Sequence, residues 1–270
     1  MARSVPRAAG RRLFGAQAAT YDRVRPDYPP ALYRVLRTRC GLAPGASVFE
    51  IGPGTGKASR QLLRLGADPL TVVEPDARML RFLKGTLAPW PGRVRFVRST
   101  FEAASLPAGS FDLGVAATSF HWTRERTSLR KVARLLRPGG WWAMWWSQTG
   151  DPERPSRFSR AADPLFEALP TSRKHRLSDR ERTRRHYRRR LETLRSIGSF
   201  ERVRMEVVRW DRRLDSRTVV DLFGTFSNVA VCPRADRERF RHGVRRIVDE
   251  EFGGRVTLHA VATLYTARRR

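Results

Sequence analysis

A chain of 270 residues, 40% of them hydrophobic, is long enough to bury a full core as one large domain or as a domain with a cap. Its longest unbroken apolar block, Trp141–Trp146, falls far short of the ~20 residues that a bilayer helix needs, so no membrane span is expected. A net charge of +28 raises nucleic acid as a partner, yet only four of the 54 basic residues are lysine, and no recognition module with interleaved aromatics is visible; GC-rich codon usage is the preferred explanation.

Residues 1–15 read as a basic arm. The opening stretch is Arg-rich but lacks the apolar segment of a secretory signal, and Cys40 and Cys232 make no disulfide framework; both features favour the cytoplasm. Pro29 and Pro30 then start a helix with an apolar face at Leu32, Val35 and Leu36, which Gly41 ends.

The most informative stretch follows. Val48-Phe-Glu-Ile-Gly-Pro-Gly-Thr-Gly-Lys-Ala-Ser59 is an apolar run that closes on an acid, then three glycines spaced two apart, then a helix start. Gly52, Gly54 and Gly56 let the backbone turn sharply and lie close to a ligand. A dinucleotide loop requires a glycine where Lys57 stands, and a P-loop requires a glycine at Ile51 and a hydroxyl at Ala58, so neither phosphate pattern fits. Glu50 sits where open α/β sheets bind ligands and would repel a pyrophosphate. It suits a ligand carrying an ammonium and a sulfonium. Glu74 closes the next apolar run, 18 positions past Gly56, where a carboxylate accepts bonds from ribose hydroxyls. A ribose, positive charge and no phosphate point to S-adenosylmethionine.

Helices are expected over 57–65 and 76–87, the second capped by Asp76. Strands are expected over 93–97 and 110–117, with a ligand-edge loop from Thr118 to Trp122. A helix over 126–136 should be broken by Pro138-Gly-Gly140 before an aromatic fifth strand. From Gly150 to Ser199 the sheet pattern disappears into a helical cap insertion over the substrate side, rich in arginine at 184–190. That cluster is either an anion site or a solvated helix face. A sixth strand over 202–210, helices over 216–226 and 235–252 and a last strand over 256–267 complete the chain.

Glu50-Ile-Gly-Pro-Gly-Thr-Gly56, Val73-Glu-Pro-Asp76, Phe111-Asp112 with Ser119-Phe-His-Trp122, and Leu135-Leu-Arg-Pro-Gly-Gly140 together resemble the four ordered motifs of class I S-adenosylmethionine-dependent methyltransferases. Tyr21-Asp-Arg-Val-Arg-Pro-Asp-Tyr-Pro29, Phe120-His-Trp122 and Thr225-Phe-Ser-Asn-Val-Ala230 are similar to the trans-aconitate methyltransferase-like subgroup (methyltransferase type 11). The resemblance implies a Rossmann-like α/β fold: a seven-stranded, mostly parallel sheet with helices on both faces, its last strand entering antiparallel between the fifth and sixth. The chain then divides into a cofactor-covering segment at 1–29, a binding core at 30–149, the cap at 150–199, which the resemblance does not cover, and the rest of the sheet domain at 200–270.

The resemblance also assigns cofactor contacts. Tyr21 and Arg25 would lie near the methionine carboxylate; Glu50, Gly52, Gly54, Gly56 and Glu74 would form the nucleoside site, with Thr118 at its edge. The adenine position normally held by an acid falls on Thr100, a departure from the family pattern, with the Phe101 backbone N–H beside it. Tyr21 as a packing residue and Arg25 as a solvated one is the competing reading. The acceptor would be a small anionic or hydroxylated metabolite, with RNA or another polyanion, or a non-catalytic cofactor-binding role, as alternatives. His121 is the candidate catalytic residue, either as a general base or as a group that orients substrate and packs with Trp122. Five scattered histidines and two distant cysteines give no metal-ligand spacing.

Overall fold

The structure, a computed structural model, describes residues 18–170 and 180–270; the basic arm at 1–15 and part of the insertion, 171–179, lie outside the described residues. Its centre is a seven-stranded sheet in the order β3-β2-β1-β4-β5-β7-β6. The strands are β1 (Ala46–Ile51), β2 (Ala67–Val73), β3 (Val94–Val97), β4 (Phe111–Ala117), β5 (Leu136–Thr149), β6 (Phe200–Asp215) and β7 (Arg255–Arg269). The β1–β2, β1–β4, β2–β3 and β4–β5 pairs are parallel, and β7 enters between β5 and β6. The order reverses beside β1, which pairs with β2 on one side and β4 on the other. That reversal opens a crevice at the carboxyl ends of those strands, where Glu50 and the glycine turn stand.

Buried parallel strands need apolar side chains on both faces, and β1 supplies them with Val48, Phe49 and Ile51 fully or nearly fully buried. Phe49 packs against Phe101, Phe111 and Trp142 with centroids 6.1, 5.0 and 6.2 Å away. It can do so because Gly114, its register partner on β4, has no side chain: a Cβ there would stand 2.3 Å from Phe49 Cζ. Gly114→Ala should therefore overpack the core and cost about 1–3 kcal/mol. Chemical denaturation checks this, and a variant as stable as wild type would refute the packing argument.

Helix boundaries follow local chemistry. Pro30–Thr38 starts on proline, and Tyr33, not Val35, joins Leu32 and Leu36 on its buried face. Asp76 caps Ala77–Leu87 by accepting from the Arg78 and Met79 amides. One expectation needs correction. The fifth strand begins at Leu136, before the Pro-Gly-Gly break, because Leu136 pairs with Phe111 and a bulge absorbs the residues up to Trp141. Gly140 is needed in that bulge, since a Cβ would fall 2.9 Å from the Arg137 carbonyl.

By internal contacts the chain forms two compact units. One contains 27–147, 186–208 and 262–270, and holds the aromatic core just described together with Leu194, Phe200 and Tyr265. The other contains the described residues up to Pro26, those of 148–185, and 209–261. Its core is built from Phe158, Phe166, Phe223 and Phe240, with Phe166–Phe223 and Phe166–Phe240 centroids 5.2 and 5.0 Å apart. Among the described residues no helix is long and apolar enough to cross a membrane, and no group of three or more His, Cys, Asp or Glu is arranged to hold a metal ion.

Candidate functional site

The three glycines after β1 are required for two different reasons. Gly52 has φ +60°, its amide donates to the Val73 carbonyl at 2.9 Å, and a Cβ on it would stand 2.8 Å from Ser119 Cβ. Gly56 has φ +88° at the start of the helix Lys57–Arg64, and a Cβ would stand 2.8 Å from Leu83 Cδ1. Gly54 has φ +58°, and among the described residues nothing lies within 4 Å of where its Cβ would be. Two glycines therefore serve packing, whereas the middle one keeps open the space in front of the turn.

Glu50 is fully buried at the end of β1. Ser59, on the first turn of the following helix, donates to its Oε2 at 2.6 Å, while its Oε1 is buried with no hydrogen-bond partner among the described residues. Burial pushes the Glu50 carboxyl up to about 7; the Ser59 hydroxyl pulls it down and the charge of Glu74 raises it further. Glu74 follows directly on β2 and is itself 8% exposed, with Oε1 accepting from the Asp76 amide at 2.9 Å. The two acids thus feel each other's charge across neighbouring strand ends, as their places in the sequence require. Tyr33 adds a second buried polar atom with no partner among the described residues, its hydroxyl, in the field of Glu50. An orphaned carboxylate oxygen beside an open glycine turn fits a ligand that donates hydrogen bonds and carries positive charge.

The loop after β4 closes the site from the other side. Thr118 is β-branched and yet has φ +57°, a conformation that costs on the order of 1–3 kcal/mol and is common at functional sites. Its hydroxyl accepts from Tyr28 Oη at 3.3 Å and from the Ser147 amide at 3.3 Å, and its own amide donates to the Trp145 carbonyl. Ser119 Oγ donates to the Ile51 carbonyl, which ties this loop to the end of β1. His121 is exposed, lies 4.8 Å from the Trp122 ring, and accepts at Nδ1 from Trp146 Nε1 at 3.2 Å. A neutral imidazole held this way carries its proton on Nε2, which makes that nitrogen a donor.

Beyond β3, Thr100 Oγ1 accepts from the Ala103 amide at 3.3 Å, so its side chain is engaged in a local turn. Phe101 is buried, and Lys131 binds the carbonyls of Phe101, Glu102 and Ala104, which fixes this turn's backbone. Glu102 accepts from the Arg124 amide at 2.8 Å at the start of the next helix. Tyr21 and Arg25 belong to the other unit. There Arg25 donates to the Thr225 hydroxyl and carbonyl at 2.9 and 3.2 Å, and its guanidinium faces the rings of Tyr21 and Phe226 at 5.1 and 4.8 Å.

Sequence reasoning missed Ser59, Tyr28 and Tyr33 as parts of the site. Tyr28 lies inside the N-terminal motif, and the neighbouring Asp27 pairs with Lys57 at 3.3 Å, so the motif touches the helix that leaves the glycine turn. That pairing spans 30 positions and has no local signal.

Residues 48–140 match the family model described as a methyltransferase domain. An uncharacterized methyltransferase of Mycobacterium tuberculosis is 34% identical over 134 residues, covering 50% of this chain and 51% of that protein. The chain spans about half the length of the curated relatives it matches. Among solved structures, phosphoethanolamine N-methyltransferase 2 of Haemonchus contortus, in complex with S-adenosyl-L-methionine, is similar with a TM-score of 0.54 and 14% identity over 98% of this chain and 57% of that one. The [4+2]-cyclase SpnF is similar with a TM-score of 0.56 and 16% identity over 100% and 99%. The Rossmann-like methyltransferase fold is thus present, and the cyclase shows that the fold alone does not decide the reaction.

Proposed function

We propose that this protein is an S-adenosylmethionine-dependent methyltransferase acting on a small anionic or hydroxylated metabolite. The observation that carries the cofactor is the buried Glu50 oxygen without a partner, next to Glu74 and the open Gly54. Glu50 and Glu74 would hold the cationic and ribose parts, Gly52, Gly54 and Gly56 the close backbone approach, Thr118 the edge, and Thr100 with the Phe101 amide the adenine side. Tyr21 and Arg25 are proposed for the carboxylate end. The cofactor supplies an electrophilic methyl on sulfur; what the chain must add is alignment of the acceptor and exclusion of water. His121, with Nε2 as donor, orients the acceptor. The N-terminal motif and the Phe-His-Trp triplet support the trans-aconitate methyltransferase-like subgroup.

Calorimetric titration with S-adenosylhomocysteine tests the cofactor, and methyl release across a panel of carboxylates and alcohols tests the reaction. Glu74→Ala should weaken cofactor binding about tenfold with the fold intact, as expected for a lost charge-assisted bond. Unchanged affinity would remove Glu74 from the site. Tight cofactor binding without methyl release from any acceptor would favour a non-catalytic role, of the kind the fold permits. The polyanion reading rests on the charge of +28 and predicts acceptor binding that falls steeply with added salt.

A further inference from the structure

The arginine cluster of the helix Arg180–Ser196 does not act as one patch. Arg184 makes two bonds to Glu153, at 2.7 and 3.0 Å, and Arg185, Arg188 and Arg189 are exposed. Arg190 differs from all of these. It is half-buried, and its guanidinium carbon stands 3.5 Å from the centroid of the Trp146 ring. Burial lowers its pKa against the opposing pull of the Tyr265 hydroxyl, which lies within hydrogen-bonding reach, and of the charge of Glu125. No carboxylate among the described residues forms an ion pair with it; Glu125 acts on it through field alone. A cation that has given up water without gaining an acid partner is disposed to take an anion.

Trp146 connects this cation to the site. The same indole that carries Arg190 on its face donates from Nε1 to His121, and Tyr265 braces it edge-on with centroids 6.0 Å apart. Two positions before His121, Ser119 is bonded to the Ile51 carbonyl and stands against Gly52. The chain of contacts therefore runs without a gap from the glycine turn to Arg190, and it sets two kinds of N–H donor around one tryptophan. Taking the methyltransferase reading as its basis, we infer that Arg190 is the specificity-determining cation for the methyl acceptor: it binds an acceptor carboxylate while His121, positioned by Trp146, orients the reacting end. A planar guanidinium stacked on an indole is preorganised for bidentate binding of a carboxylate, which a lysine would only partly reproduce.

The test uses the full chain saturated with S-adenosylhomocysteine, tryptophan fluorescence as readout, and malonate, succinate and trans-aconitate as probes, with malonamide as the neutral control. Wild type should bind at least one of the carboxylates and not malonamide. Arg190→Met, which keeps the stem over Trp146, should weaken that binding about tenfold or more, with Arg190→Lys in between. Affinity for S-adenosylhomocysteine should be the same in all three, and with any probe that is methylated the loss should fall on KM more than on kcat. Failure of wild type to bind S-adenosylhomocysteine would sink the methyltransferase reading itself. Normal cofactor binding with no carboxylate binding, with equal binding of malonamide, or with Arg190→Met equal to wild type, would overturn the role of Arg190 alone. Loss of cofactor affinity in the Met and Lys variants alike would mark Arg190 as structural and overturn it equally.

Discussion

Gly54→Val should abolish measurable binding of S-adenosylhomocysteine, a loss of about a hundredfold or more, while the protein stays folded. Two effects separate here. The first is backbone strain: a valine at φ +58° costs roughly 1–2 kcal/mol, a sum the fold tolerates elsewhere, since Thr118 holds a similar conformation at φ +57°. The second is occupation of space. Among the described residues nothing lies within 4 Å of a Cβ at Gly54, so the new side chain meets none of them and projects into the space in front of the turn. Gly54→Ala carries nearly the same strain with two fewer side-chain carbons, and should lose clearly less affinity. Gly52→Ala and Gly56→Ala behave differently, because their Cβ atoms would press on Ser119 and Leu83 and unsettle the packing first. Calorimetry on the purified variants, with thermal melts alongside, distinguishes the cases. A Gly54→Val protein that binds the cofactor normally would remove the turn from the site.

The parts of this site that could be read in advance are those coded by neighbours in the chain. A strand that ends in an acid and passes into spaced glycines announces its own turn, and Glu74 falls at the end of the next strand for the same reason. The sheet order came only from the family resemblance that the motifs carry; the residues by themselves would not have fixed where the last strand enters. What stayed illegible depends on pairings between distant positions. Ser59 reaches back to Glu50 across one helical turn and a loop, Tyr28 meets Thr118 across 90 positions, and Arg25 meets Thr225 across 200. The arginine cluster shows the limit most clearly. Five of the seven residues from Arg184 to Arg190 are arginines, alike in sequence, and only packing tells that Arg190 lies on an indole whereas Arg184 is spent on Glu153.

Glu50→Gln should flatten two pH dependences at once. In the folded chain the Glu50 carboxyl titrates at about 7 in place of its ordinary 4.5, chiefly because burial disfavours the charged form. The folded state therefore keeps a proton between those limits that the unfolded chain has released. This proton stabilises the ligand-free protein below pH 4.5, and the contribution, on the order of 3 kcal/mol, is lost as pH rises to 7. Glutamine cannot ionise, so the variant should gain on wild type in denaturation experiments as pH rises from 5 to 8. Cofactor binding has the opposite sign. A cationic ligand selects the ionised carboxylate, so the affinity of wild type for S-adenosylmethionine should improve as pH rises towards and through 7, with release of a proton. The ligand's own amine titrates near this range, which is why the difference between wild type and Glu50→Gln is the quantity to read. The variant should bind about tenfold or more weakly at pH 8 and approach wild type at pH 6. If the two proteins kept the same affinity ratio across that interval, the buried acid would have no part in holding the charge of the ligand, and its orphaned oxygen would need another partner.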